Sequence, residues 1–183
     1  MLNKLALGAV RYLFQSASPE EQEQALYGCE ILLYTVFSTL GLLITGLLFS
    51  RFLETVCIVS IFYVMQSTGG GYHAHTHSGC FITMLTGLLV GYLFCDFITC
   101  SLSLWFIVSF SCLILLKNPV KLHRNKQFMK KQIHHLKKRS HVVQIIVYLL
   151  VILLYFVHHS AFAPVVYGIF ISAMSRLIAH DIS

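Results

Sequence analysis

Long apolar runs recur along almost the whole of this chain, and they restrict what it can fold into. Stretches at about 28–49, 53–66, 80–98, 101–116, 142–158 and 161–179 are nearly free of charge. A helix of about 20 such residues crosses the hydrocarbon core of a bilayer. Of the 183 residues, 57% are hydrophobic and 11% charged, against roughly 25% charged in soluble domains. One soluble core of this size cannot hide that much apolar surface, so the solvent must be lipid. The expected fold class is an all-α integral membrane protein with about six transmembrane helices. The run at 53–66 is short for a span, so it tilts, reaches on through the glycines that follow, or stops short of a full crossing.

The ends of the runs carry the local signals. Residues 2–14 place Leu2, Leu5, Val10 and Leu13 at near-helical spacing, with Asn3, Lys4 and Arg11 elsewhere on the wheel. An amphipathic interfacial helix over 1–17 is expected. No long apolar segment or cleavage site follows Lys4 and Arg11 there, so no signal peptide is expected. In "SASPEEQEQ", Ser18 suits an N-cap, Pro19 the first helical position, and Glu21 completes a capping box. That helix should run through Tyr27 into the first span.

The net charge of +6 is unevenly placed. Nine of the thirteen Lys and Arg fall between Lys117 and Arg139, where there is no acid. Nucleic-acid binding produces such clusters, but in a lipid-embedded chain the positive-inside rule accounts for this one, and no nucleic-acid partner is expected. Six crossings put both termini, 67–79 and the basic loop 117–140 on one side, and the charge makes that side cytoplasmic. Arg51 then faces outward with Glu54 near enough to pair, and Asp96 is an exposed residue at the outer end of the third span. Five of the six cysteines lie in or at the ends of apolar runs and read as small hydrophobes.

Cys80 is the exception, because of the stretch "GGGYHAHTHSGC" at 69–80. Gly69, Gly70 and Gly71 break a helix and admit a turn or a close backbone approach; small-residue packing between membrane helices is their plainer use. Thr76 and Ser78 are plausible caps for the helix that Cys80 opens. A cysteine at a helix N-terminus sees the positive end of the dipole, which favours the nucleophilic thiolate, and a histidine would favour it further. His73 and Cys80 are seven apart, roughly 10 Å on one straight helix and beyond hydrogen-bond reach. If they react together, the segment cannot be one straight helix. His77, three residues from Cys80, is slightly better placed by spacing alone, and His75 stays open. The same residues are zinc-type ligands, although the spacing matches no familiar zinc site. No metal or other cofactor is expected.

The motif resembles the accessory gene regulator B (AgrB) family of bacterial membrane cysteine endopeptidases, which process quorum-sensing propeptides. The likeness rests on "GGYHA" at Gly70–Ala74, with Cys80 seven residues after His73. Length, amphipathic N-terminus, multiple spans and a basic loop between the fourth and fifth extend it along the chain. The resemblance implies His73 and Cys80 as the catalytic pair, in place of the spacing preference for His77. Some members carry an arginine seven residues before the histidine, where this chain has Gln66. Gln66, Gly70, Gly71, Lys130 and Lys131 are the positions that the resemblance offers for substrate binding. It implies an AgrD-like precursor peptide as substrate, a bilayer as setting, and suggests a homodimer. The expected product is a thiolactone or lactone ring, closed after release of an acidic tail. A membrane peptide exporter and a His/Cys metal-binding membrane protein are the alternatives from other classes.

Overall fold

The computed structural model describes residues 7, 8, 10, 12, 13, 18–72, 76–120, 130–157 and 160–179, without the side chains of Pro19, His77, Lys130, Lys131 and Gln132. Every regular element among them is helical. The order is α1 (Pro19–Leu48), α2 (Phe52–Gly69), α3 (His77–Phe97), α4 (Ser101–Lys117), α5 (Lys130–Phe156) and α6 (Phe162–Ile178). The described residues of the N-terminal segment, 7, 8, 10, 12 and 13, are also helical; the rest of the expected amphipathic helix lies outside the description.

Four helices, α1, α2, α3 and α5, are long and apolar enough to cross a bilayer, while α4 and α6 are apolar helices of 17 residues. Large apolar side chains stand exposed along them, among them Leu93, Phe106, Phe110, Leu149 and Leu153. That pattern suits a surface that meets lipid rather than water. The short run at 53–66 becomes an 18-residue helix because it continues to Gly69. The basic region departs from expectation. It is not a loop throughout 117–140, since α5 begins at Lys130 and carries Lys137, Lys138 and Arg139 as exposed helical residues. From Lys130 to Arg139 there is no Pro or Gly, and Lys, Gln, Leu and Arg are good helix formers, so the helix persists beyond its apolar part. Residues 121–129 lie outside the description.

The chain divides into two compact units, Met1–Thr45 and Gly46–Ser183. The first holds most of α1, which is capped as its sequence predicts. The Ser18 N–H donates to Glu21 Oε2 at 2.8 Å, and the Glu21 N–H reaches back to Ser18 Oγ at 3.4 Å.

In the second unit α6 is the central helix and packs against α2, α3, α4 and α5. Its buried residues run from Pro164 to Arg176 and include Val165, Val166, Ile169 and Ala173. These join Met65, Val108, Leu115, Val147 and Val151 in one core. Small residues bring the backbones close: a Cβ on Gly168 would meet Ile61 at 2.9 Å, and one on Gly91 would meet Tyr167 at 2.7 Å. Tyr167 also donates its hydroxyl to Gly87 O at 2.7 Å, tying α6 to α3.

The two ends of this unit differ in chemistry. At one, the Arg51 guanidinium binds Asp96 at 2.5 Å and Tyr92 O at 3.2 Å, with Glu54 further off at 3.7 Å. Asp96 is thus the nearer partner of Arg51, although 45 residues away. At the other end, the C-terminus of α2, residues 118–119 after α4, Ser140 of α5 and the last turn of α6 converge.

Candidate active site

α2 stops at Gly69, and Gly70 caps it with φ 67°, a left-handed conformation that favours glycine. The Gly70 N–H closes the last turn on Gln66 O at 2.8 Å. α3 starts afresh at His77, with Thr76 as its N-cap. The segment that carries the motif is therefore two helices and a connection, as a His73–Cys80 pair would require. His73 and His75 themselves lie outside the described residues, as does the side chain of His77.

Cys80 occupies the first turn of α3 and is half-buried. Thr76 Oγ1 accepts the Gly79 N–H at 3.0 Å, and Thr76 O accepts the Cys80 N–H at 3.0 Å. The amides of Gly79 and Cys80 are thus engaged by the cap. Helix geometry leaves the preceding amides, His77 and Ser78, without an intrahelical acceptor. The positive end of the α3 dipole acts on the same turn.

The glycine turn is held from α6. Gln66 Nε2 donates to Ser175 Oγ at 2.7 Å. The Tyr72 N–H points at Ser175, 3.0 Å from Oγ and 3.2 Å from the carbonyl oxygen. The Gln66 amide fills the space that a Cβ on Gly71 would take, and the Arg176 guanidinium fills the corresponding space at Gly69. Gly70 and Gly71 are thus backbone and packing elements of the turn, and Gln66 forms its wall.

Arg176 is fully buried. Its Nη2 donates to Met65 O at 2.8 Å, and its Nη1 to Pro119 O at 2.9 Å, Ser140 Oγ at 3.3 Å and Asn118 O at 3.4 Å. One guanidinium therefore joins the end of α2, the end of α4 and the first half of α5. Among the described residues, the buried polar side-chain atoms without a partner are Gln66 Oε1, Gln144 Oε1 and Arg176 Nε. All three belong to this network, because Gln144 also bonds Ser140. Sequence reasoning passed over Ser175 and Arg176. The available signal was a lone cation inside an apolar helix, which at that position also reads as an ordinary span end.

The backbone of Lys130 and Lys131 opens α5, ten and nine residues before Ser140; their side chains are outside the description. Among the described residues no group of three or more His, Cys, Asp or Glu is placed to hold a metal ion. The histidines of the metal alternative, apart from the His77 backbone, are not among them.

An all-helical integral membrane protein, with a cysteine in the first turn of one helix beside a glycine turn clamped by another, is the class defined here. The chain belongs to the accessory gene regulator B (AgrB) family, whose model matches residues 7–178. This membership places it in the processing of agr quorum-sensing propeptides, in a family known as membrane-associated and protease-like. Comparison with curated proteins and with solved structures gave no match.

Proposed function

We propose that this chain is a membrane cysteine endopeptidase that removes the C-terminal tail of an AgrD-like propeptide and lets the remainder cyclise. The observation that carries the reading is the placement of Cys80. It is half-buried in a capped helical first turn, and the helix that holds it begins only at His77, separate from the helix that ends at Gly69. That break removes the straight-helix geometry in which the two side chains could not meet.

His73 takes the proton from Cys80 Sγ, and the thiolate attacks the carbonyl between signal segment and tail. The tetrahedral oxyanion that forms needs donors, and the amides of His77 and Ser78 are the ones the helix leaves over. His73 then protonates the departing amine, and the tail leaves. The signal segment stays on Cys80 as a thioester. An internal Cys or Ser of the precursor attacks that thioester, closes the ring and restores the Cys80 thiol. Exchange of one thioester for another is nearly balanced, so ring closure depends on proximity. A site at the membrane edge keeps water from the intermediate.

The sidedness follows the charge. The basic stretch from Lys117 to Arg139 marks the end holding the glycine turn as cytoplasmic, with six crossings and both termini on that side. Lys130, Lys131 and their neighbours there attract the acidic tail and steer it more than they bind it.

The test is to trap the acyl-enzyme. Purified protein in lipid bicelles is mixed with an AgrD-like propeptide, quenched in acid and weighed intact. The expected species is the protein plus the propeptide minus its tail, with the added mass on the peptide that contains Cys80. Tail release with no adduct at any time point, or an adduct on another residue, would refute the mechanism.

A further inference from the structure

We infer that Ser175 and Arg176, in the last turn of α6, are positioning residues that set where the catalytic turn delivers its histidine. The inference rests on the His73–Cys80 reading above. Tyr72 directly precedes His73, and consecutive Cα atoms are 3.8 Å apart, so whatever fixes Tyr72 limits where His73 can be. Ser175 fixes it: the Tyr72 N–H lies 3.0 Å from Ser175 Oγ and 3.2 Å from Ser175 O. The same hydroxyl takes the Gln66 amide at 2.7 Å, and Gln66 in turn packs against Gly71.

Arg176 locks the platform from which Ser175 acts. Its buried guanidinium sits in the space at Gly69 and holds Met65 O, so α6 cannot slide along α2 without breaking a charge-assisted hydrogen bond. The other nitrogen holds Pro119 O and Ser140 Oγ, which belong to the two ends of the basic segment. The turn before the histidine and the roots of the segment that meets the substrate's tail are therefore referenced to one side chain. A misplacement of about 1 Å in a reacting group can cost about 10²-fold in rate, which is the scale on which such a clamp matters.

The experiment uses the full-length protein in bicelles and two readouts. One is steady-state cleavage of an AgrD-like propeptide by Ser175→Ala, Ser175→Thr and Arg176→Lys. The other is the rate of Cys80 alkylation by iodoacetamide against pH, followed by peptide mass spectrometry, in these variants and in His73→Ala. For Ser175→Ala we expect kcat to fall by about ten- to a hundredfold with KM little changed, and the alkylation profile to move toward that of His73→Ala. Ser175→Thr, which keeps the hydroxyl, should restore both. Arg176→Lys should resemble Ser175→Ala, since a lysine lacks the two separate guanidinium nitrogens that hold Met65 O and Pro119 O. If His73→Ala shifts the profile while Ser175→Ala changes neither profile nor kcat, the positioning role is wrong and the dyad stands. If His73→Ala leaves the profile where it was, the dyad fails and the inference falls with it.

Discussion

The guanidinium of Arg176 lies where a side chain on Gly69 would be, and from there it donates to Met65 O at 2.8 Å. A charge without a carboxylate partner among the described residues is thus buried by surrounding it with carbonyl and hydroxyl oxygens, and a glycine makes the room. Breaking such an arrangement from either side is costly, because the buried charge then loses the groups that solvate it.

Gly69→Ala should therefore destabilise the protein although alanine is the better helix former. Overpacking of a close contact costs about 1–3 kcal/mol, against about 1 kcal/mol gained in helix propensity. Gly28→Ala is the control, because nothing lies within 4 Å of a Cβ there. Thermal unfolding in detergent, followed by Trp105 fluorescence, should show a lower midpoint for Gly69→Ala and an unchanged or higher one for Gly28→Ala.

Thr76→Ala removes the acceptor of the Gly79 N–H and should loosen the turn that holds Cys80. Loss of an N-cap costs about 1 kcal/mol. Hydrogen exchange should quicken at residues 77–80 while the middle of α3 keeps its protection, and propeptide cleavage should slow. Unchanged exchange at 77–80 would mean that the cap contributes little.

The Arg51–Asp96 pair lies some sixteen residues along α3 from Cys80, about 24 Å by helix rise. Both side chains are partly exposed, and such pairs contribute about 0–1 kcal/mol. Asp96→Asn should lower the unfolding midpoint slightly, more at low salt than at high, and leave propeptide cleavage at the parent rate. A large loss of cleavage would show that this distant end bears on the chemistry.

Cys100 offers a test of sidedness. It is exposed between α3 and α4, and the backbone amides of Ser103 and Leu102 at the start of α4 lower its thiol from the ordinary value. A lowered value means that thiolate survives to lower pH, so its alkylation should persist on acidification longer than that of an unperturbed thiol. An impermeant maleimide applied to intact cells should label Cys100 and spare Cys80, and inverted vesicles should not show Cys100 labelling. The reverse pattern would place the glycine turn outside.

What could be read from the sequence was mostly local. Ser18 with Glu21, and Thr76 before Cys80, are caps whose partners lie three residues away, so residue type and spacing sufficed. The break at the glycines and the apolar spans were readable for the same reason. The start of α5 was missed because hydropathy marks where a helix leaves the membrane and says little about where it ends. Arg51 was expected to pair with Glu54, three residues on, and its nearer partner proved to be Asp96. The clamp was invisible in sequence: Ser175 meets Tyr72 across 103 residues and Arg176 meets Met65 across 111. Only tertiary packing brings such pairs together.

The catalytic pair is tested by the processing of an AgrD-like propeptide by the parent protein and by Cys80→Ala, His73→Ala and His77→Ala. Tail release and ring formation are followed by mass spectrometry. Cys80→Ala and His73→Ala should lose cleavage while His77→Ala keeps it, and thiol alkylation should abolish activity while chelators do not. Cleavage by Cys80→Ala would rule out Cys80 as the nucleophile, and loss of cleavage in His77→Ala but not in His73→Ala would move the base from His73 to His77.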